Sequence, residues 1–448
     1  MDKFSKSNGF LLFILFNELC ASLIVCEETN NKNDSGERFL RHIHLLYHHG
    51  DSSPVCRIPE IYNNFESIWP EGTNKLTVIG IQQHFLLGRW MRQKYGDFVP
   101  KKYNSSDYHL RSTDNDKTLR SAMANSAGFY EQSTSLDAFG VHWSPVPVHI
   151  ISRNSNIIFG SDECIRLQIL QKLKNYMNHS TKFEQKHKNL FETLRNNTGL
   201  NINQFNFGKI ANFIKCMKNH NITLPSWCTK EFLVELFEVE DFYWMEKYTK
   251  TSLEIIRLEI GLFLNNIMQH IHSIIQGGTI HLSDDITLSN KHIMIYSLND
   301  HNLGYLLTAL NIFNNKTIEY ASVISLEIYG PLLSTNVSEF LLKIFYKNGW
   351  KDNNGKYLSL SICEQFNLST SCPLDFILNH LKTLSLNSEQ YLNECLSIIN
   401  LLNYNDELFN LIVSIIIYLV IIITIFLIFF YINKISYIFN EIEIKQNY

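Results

Sequence analysis

Two short stretches place polar, chemically capable residues at the ends of apolar runs. His48-His49-Gly50 closes the run Phe39 to Tyr47, and Asn299-Asp300-His301 closes Ile293 to Ser297. A neutral imidazole is a nucleophile or base, and a carboxylic acid gives up and takes back a proton, so the two together could run a group transfer. Taken alone, a histidine or aspartate at a strand end is more often a turn or capping residue than a catalyst. His42, His44, His48 and His49 also raise a metal reading, because alternate strand residues share a face. No carboxylate follows them at ligand spacing, and no metal or cofactor is expected.

The elements that must position these residues are legible in outline. Phe39 to Tyr47 alternates and is rich in branched and aromatic residues, which predicts a buried strand. Leu76 to Tyr95 carries Leu76, Ile79, Phe85, Leu86 and Trp90 near helical spacing. A second helix is expected over Asp114 to Tyr130, opened by Ser112, Thr113 or Asp114, with Ala122, Ala124, Ala127 and Gly128 allowing close packing on a sheet. From Asp162 to Gln276 the pattern is helical, polar and loop-rich. There Thr251 and Glu254 form a capping-box signature for a long helix through His272. Ile293 to Ser297 reads as a strand and Leu303 to Phe313 as a helix. Strand, polar turn and helix thus recur at both ends of the body. Ligands of open α/β sheets bind outside the carboxyl ends of strands, so His49 and Asp300 are expected to converge.

Length and composition fix the setting. The chain has 448 residues, 45% hydrophobic and 18% charged, enough for a large core, and its net charge of −4 with no basic block excludes nucleic-acid binding. Lys3 and Lys6 before the apolar run Gly9 to Phe16, with Ala21 and Ser22 after it, have the layout of a signal peptide; an uncleaved anchor is the alternative. Leu408 to Ile432 is uncharged and long enough to span a bilayer as a helix. Asp406 and Glu407 precede it and Lys434 and Lys445 follow, which predicts a type I orientation with a short cytosolic tail. Sequons at Asn33, Asn104, Asn178, Asn196, Asn221, Asn315, Asn336 and Asn367 suit a lumenal body. Of nine cysteines none forms a Cys-x-x-Cys pair, so bridges are expected rather than a zinc or redox site.

From Phe39 to Ser397 the chain resembles the histidine acid phosphatases of the lysosomal and prostatic type. The resemblance rests on Trp69-Pro70-Glu71-Gly72, Leu76-Thr77 through Gly80, Gln83-His84, Leu87-Gly88, Arg111-Ser112-Thr113-Asp114, Pro147-Val148-His149, Asn221 to Trp227 and Cys372-Pro373-Leu374. The family signature Arg-His-Gly-x-Arg-x-Pro falls here on His48-His49-Gly50-Asp51-Ser52-Ser53-Pro54. The resemblance implies that His49 becomes phosphorylated and that Arg111 holds phosphate. Asp300 would protonate the leaving alcohol. His48, Ser52 and Asn299 stand where the family has two arginines and a histidine. It further implies bridges Cys164–Cys395 and Cys363–Cys372. Cys216 lacks its family partner near Val323, and Cys228 is the substitute. Cys56 is left as a free thiol or a partner of Cys26. His84 and His149 match family positions, and Arg41, Arg57 and Arg120 default to surface roles.

Those replacements bear on rate. Phosphoryl transfer depends on positioning and on stabilising charge at the non-bridging oxygens, and a serine offers one neutral donor where arginine offers a cationic fork. One lost donor costs about 10²–10³ in rate. The expected function is therefore hydrolysis of phosphate monoesters through a phosphohistidine, weakly, or else a catalytically inactive pseudophosphatase that binds an anionic ligand or partner. The expected fold is α/β: a mostly parallel central sheet with flanking helices from residues 36–150 and 290–400. A helical cap is expected over 151–289, a signal peptide over 1–22, a transmembrane helix over 408–432 and a cytosolic tail over 433–448. By resemblance the protein would be a homodimer. Lysosome and plasma membrane are equally consistent with its tail.

Overall fold

A computed structural model describes residues 38–131, 145–151, 158–159, 164–177, 181–203, 206–277, 279–281, 287–289, 292–397 and 413–429. The first strand, β1 (Phe39–His48), is buried from His42 to its end, because both faces of the sheet are covered. It pairs in parallel with β6 (Ile293–Leu298), which pairs with β2 (Tyr108–Thr113), and that with β3 (Val148–Ile151). On its other edge β1 meets β7 (Val323–Gly330) antiparallel, followed by β8 (Leu341–Lys347). β9 (Lys356–Leu358) and β10 (Ser371–Pro373) both pair antiparallel with β8. A separate antiparallel pair is formed by β4 (Thr279–His281) and β5 (Thr287–Ser289).

The sheet is therefore mixed, not mostly parallel. Its second half arises because the chain returns from β7 to β8 through a short connection. Such a connection permits only antiparallel pairing, whereas a parallel return needs a long crossover.

Period-2 alternation sorts the strand side chains onto the two faces. Ile43, Leu45 and Tyr47 pack with Ile293, Ile295 and Val323 against the helices Val78–Tyr95 and Asp116–Phe129. Leu46, Met294, Tyr296 and Ile324 pack on the other side, against the helices Leu253–Gln276 and Asp300–Ala309. The segment expected to be a cap contributes its own cluster. Helices Lys188–Thr198, Phe207–Asn219 and Lys230–Thr249 bury Leu194, Phe213 and Leu236 together with Phe65 and Trp69, from the one-turn helix Phe65–Ile68 and its C-cap. The long helix Leu253–Gln276 does not belong to this cluster; it is a wall of the central core.

Local chemistry moved several boundaries. The long helix is capped by Ser252, whose hydroxyl accepts from the Ile255 amide at 3.3 Å, and Thr251 instead donates back to the Lys247 carbonyl at 2.6 Å. Asn115, not Ser112, Thr113 or Asp114, caps Asp116–Phe129 by accepting from the Lys117 amide at 3.1 Å. The helix after β6 starts at Asp300 rather than Leu303, because Asn299 takes the N-cap. Gly88 and Gly128 serve helix–helix rather than helix–sheet contact. A Cβ at either would come within 2.0 Å of a backbone oxygen of the other helix, at Asn125 and Phe85 respectively.

Among the described residues two bridges form, Cys164–Cys395 and Cys363–Cys372. The expected Cys216–Cys228 bridge does not. Cys216 is buried on Phe207–Asn219 with its thiol donating to the Ser52 carbonyl at 3.2 Å, while Cys228 lies in the cap cluster as a second free thiol. Cys56 is likewise free. Residues 413–429 form an apolar, mostly exposed helix. The rest of the expected span 408–432, and the signal segment 1–22, lie outside the described residues. Among the described residues no helix is long and apolar enough to cross a membrane.

Candidate active site

The tips of β1 and β6 are adjacent. His48 is level with Leu298, and the His49 amide donates to the Leu298 carbonyl at 3.1 Å, so Asn299 and Asp300 begin beside His49. Two helices start at this edge, Asp116–Phe129 after β2 and Asp300–Ala309 after β6, and their N-termini carry the positive ends of two helix dipoles.

His49 is 3% exposed. Its Nδ1 lies 2.7 Å from the Gly50 carbonyl, an acceptor, which fixes the proton on Nδ1 and leaves Nε2 with the lone pair. Burial, then the neighbouring His48 and Lys117, hold its pKa well below the ordinary histidine value. His49 is thus a neutral imidazole with a defined nucleophilic nitrogen. His48 places Nδ1 3.0 Å from the Glu319 carbonyl and Nε2 3.2 Å from His49 Nε2. The Tyr320 ring covers both, with centroids 5.5 Å from His48 and 5.7 Å from His49.

The loop after His49 is held from every side. Gly50 and Gly80 touch backbone to backbone: a Cβ on Gly50 would sit 2.4 Å from the Gly80 oxygen, and one on Gly80 would sit 2.2 Å from the Asp51 oxygen. Asp51 is fully buried and accepts from Thr77 Oγ1 (2.7 Å), Asn219 Nδ2 (3.2 Å) and His220 Nε2 (2.7 Å). One carboxylate therefore ties the loop to the first sheet helix and to the cap. His84 donates its Nε2–H to the His48 carbonyl at 3.0 Å, and burial pushes its pKa down to about 3, so it is a neutral prop for the strand tip. Ala321, in the left-handed region at φ 57°, lets its amide reach the His49 carbonyl at 3.1 Å.

Asp300 is within electrostatic range of His48, His49 and Lys117. Burial works to raise its pKa, but the hydrogen bond from His301 and the facing His48 outweigh it, and the carboxyl is held well below its ordinary value. In the resting cleft it is a carboxylate. Asn299 spends its backbone as a helix cap, its amide donating to Asn302 Oδ1 at 3.3 Å. Arg111 is 1% exposed and stands opposite Tyr296, level with Leu46 and two residues short of the tip. Ser52 bridges to Leu76 through its backbone and shares a side-chain hydrogen bond with Tyr320.

Several site residues carried no readable signal. Lys117 lies in the first turn of its helix, donates to Asn74 Oδ1 at 2.9 Å and acts on both histidines and on Asp300. Tyr320 and the Glu319 carbonyl come from the turn before β7. Glu240 on the cap is 8% exposed and lies within range of Lys215, Glu319 and Asp300; burial raises its pKa to about 7. Lys215 in turn donates to Glu319 Oε1 at 3.1 Å.

The peripheral candidates have other employment. Arg57 pairs with Glu66, Arg120 with Glu71, and Arg41 donates to the Pro331 carbonyl. His149 stacks on His109 with centroids 4.3 Å apart. His42 and His44 face the core rather than the cleft and meet His270 edge-on, with centroids 4.8 and 5.2 Å away. Burial holds His44 neutral. His42, His44 and His270 are all buried, and one ring nitrogen of each lies within 4.8 Å of those of the other two.

Fold and tip geometry define an α/β protein with a histidine–carboxylate cleft at the N-termini of two helices. Residues 27–346 match the histidine phosphatase superfamily (branch 2), and the chain belongs to that family. It is 30% identical to the prostatic acid phosphatase of Bos taurus over 349 residues, covering 76% of this chain and 86% of that protein. It is 29% identical to the lysosomal acid phosphatase of Xenopus laevis over 320 residues, 69% of this chain and 70% of that one. Among solved structures, the phytase of Citrobacter braakii superposes with a TM-score of 0.57 at 12% identity, over 80% of this chain and 99% of that chain. That likeness speaks for the fold.

Proposed function

We propose that the protein hydrolyses phosphate monoesters through a phosphohistidine at His49, with slow turnover. The observation that carries this reading is the locked His49 tautomer, Nδ1–H on the Gly50 carbonyl with the Nε2 lone pair at a tip shared with Asp300. His49 Nε2 attacks phosphorus as the bond to the ester oxygen breaks, and Asp300 supplies the proton for the leaving alcohol. Water then attacks the phosphohistidine, Asp300 takes its proton, and inorganic phosphate leaves. Because Asp300 rests ionised, the incoming phosphate charge must raise its proton affinity before it can act as an acid.

Arg111 and Lys117, with the two helix N-termini, are the fixed positive groups for the non-bridging oxygens. Ser52 and Asn299 add neutral donors only, which supports slow turnover. No cofactor is required by this chemistry.

The setting we propose is a type I membrane protein of the secretory pathway, lysosomal or at the cell surface, anchored through 408–432. Six sequon asparagines among the described residues, Asn104, Asn196, Asn221, Asn315, Asn336 and Asn367, are all exposed and open to glycosylation. Homodimerisation is part of the same reading. The deciding experiment is hydrolysis of a chromogenic phosphomonoester by the detergent-solubilised full chain between pH 4 and 8. Activity is expected, with a transient acid-labile phosphoprotein, and both vanish in His49→Ala. A wild-type protein that binds vanadate without turnover would establish the pseudophosphatase instead.

A further inference from the structure

The hydrogen-bond count at the β1 tip does not close with neutral side chains. His48 Nδ1 faces the Glu319 carbonyl at 3.0 Å, His49 Nδ1 faces the Gly50 carbonyl at 2.7 Å, and the two Nε2 atoms face each other at 3.2 Å. A carbonyl only accepts, so each Nδ1 must carry a proton. Two neutral imidazoles own two protons, and three contacts need three. A neutral pair therefore leaves lone pair against lone pair at one contact, most simply between the Nε2 atoms, on rings that are each 3% exposed.

A third proton satisfies every contact and makes the pair a cation. The groups around it pull in both directions. Asp300 favours the charge, while Lys117 and Lys215 oppose it. Lys215 is itself offset by Glu319 and Glu240. His84 presents an N–H to the His48 carbonyl and Tyr320 a ring face to both imidazoles. Burial is the largest opposing cause and lowers the His48 pKa to about 4, so the empty cleft holds the third proton weakly.

From this geometry we propose that a tetrahedral dianion enters the cleft together with one proton, which settles on His48. The His48 imidazolium keeps Nδ1–H on the Glu319 carbonyl and gives its newly acquired Nε2–H to an anion oxygen. That single transfer supplies the positive charge missing from this position and leaves the His49 lone pair free for attack. The chain thus carries a proton-dependent cation where a guanidinium would be permanent. His48 is in this sense a substrate-positioning residue, and its charge is created by the substrate. The inference rests on the proposed reading that the β1 tip receives phosphate.

Sulfate is the probe, since it stays a dianion throughout pH 5–8. Titration calorimetry of the full chain in detergent, in buffers of differing ionisation enthalpy, reads proton uptake directly. We expect about one proton per sulfate and a Kd that weakens about tenfold per pH unit above pH 5. In His48→Arg sulfate should bind with no uptake and no such pH dependence, and in His48→Asn binding should weaken with uptake lost. Sulfate binding by the wild type without proton uptake would overturn the inference and leave the anion cleft standing. Uptake that persists in His48→Arg would also overturn it. No sulfate or phosphate binding by any of the proteins would refute the inference and the proposed function together. The wild-type stoichiometry decides by itself if a variant fails to fold.

Discussion

Replacing Glu240 with glutamine should flatten the protein's loss of stability between acid and neutral pH. Glu240 is 8% exposed, and burial is the main reason its pKa rises from 4.5 to about 7; Lys215 opposes the rise, and Glu319, Asp241 and Asp300 add to it. The sign follows from linkage. The folded protein binds this proton more tightly than the unfolded chain, so the group favours folding below its unfolded pKa. That benefit is lost as pH climbs through 4.5 toward 7.

A rise from 4.5 to about 7 corresponds to roughly 3–4 kcal/mol at about 1.4 kcal/mol per pH unit. For a chain of this size that is roughly 4 °C in Tm, from about 2 cal/mol/K per residue. The assay is thermal unfolding at pH 4.5 and 7.5 for wild type and Glu240→Gln, scored as the difference between the two proteins' Tm changes. Wild type should lose about 4 °C more than the variant. Equal changes, or a wild type that gains more on going to neutral pH, would show that Glu240 is not a buried, proton-holding group.

Gly80→Ala should cost about 2–3 kcal/mol in a denaturant titration and abolish turnover, since its Cβ would meet the Asp51 oxygen at 2.2 Å and push the signature loop off its helix. Combining His48→Arg, Ser52→Arg and Asn299→His should raise kcat toward phosphomonoesters by roughly two to four decades, read by steady-state kinetics; no gain would mean that lost charge is not what limits the site. Peptide mapping after alkylation in denaturant should find Cys164 joined to Cys395, Cys363 joined to Cys372, and Cys216 alkylated. Recovery of a Cys216–Cys228 peptide would contradict the buried thiol at Ser52.

The parts of this molecule visible in its sequence are those governed by local periodicity and by residue type. β1 and β6 show as buried branched runs, and the polar triplets that end them mark the site. The antiparallel half of the sheet did not show: Gly330-Pro331 and Asn348-Gly349 mark where β7 and β8 end, but which strands they pair with is decided by the connection between them. Gly50 and Gly80 lie thirty positions apart, and only the fold reveals that each exists to admit the other's backbone. Lys117 reads as an ordinary charge in a first helical turn, and Tyr320 as one more aromatic. Both become site residues through long-range packing. Cys216 looked like half of a bridge because its chemistry suits one; its burial against the Ser52 carbonyl is a matter of which way one helix faces. The ring-nitrogen mismatch of His48 and His49 needs coordinates, since a sequence lists imidazoles without saying what each nitrogen meets.

The Cys164–Cys395 bridge spans a sequence separation of 231 and links the start of helix Ile165–Met177 to the end of helix Ser388–Leu396. A protease cut between those two cysteines yields fragments that remain one covalent object. Surface loops between the two cysteines can then be cut without releasing the half that carries His49 from the half that carries the helix Ser388–Leu396. Nicked protein should migrate as a single band until a reductant is added.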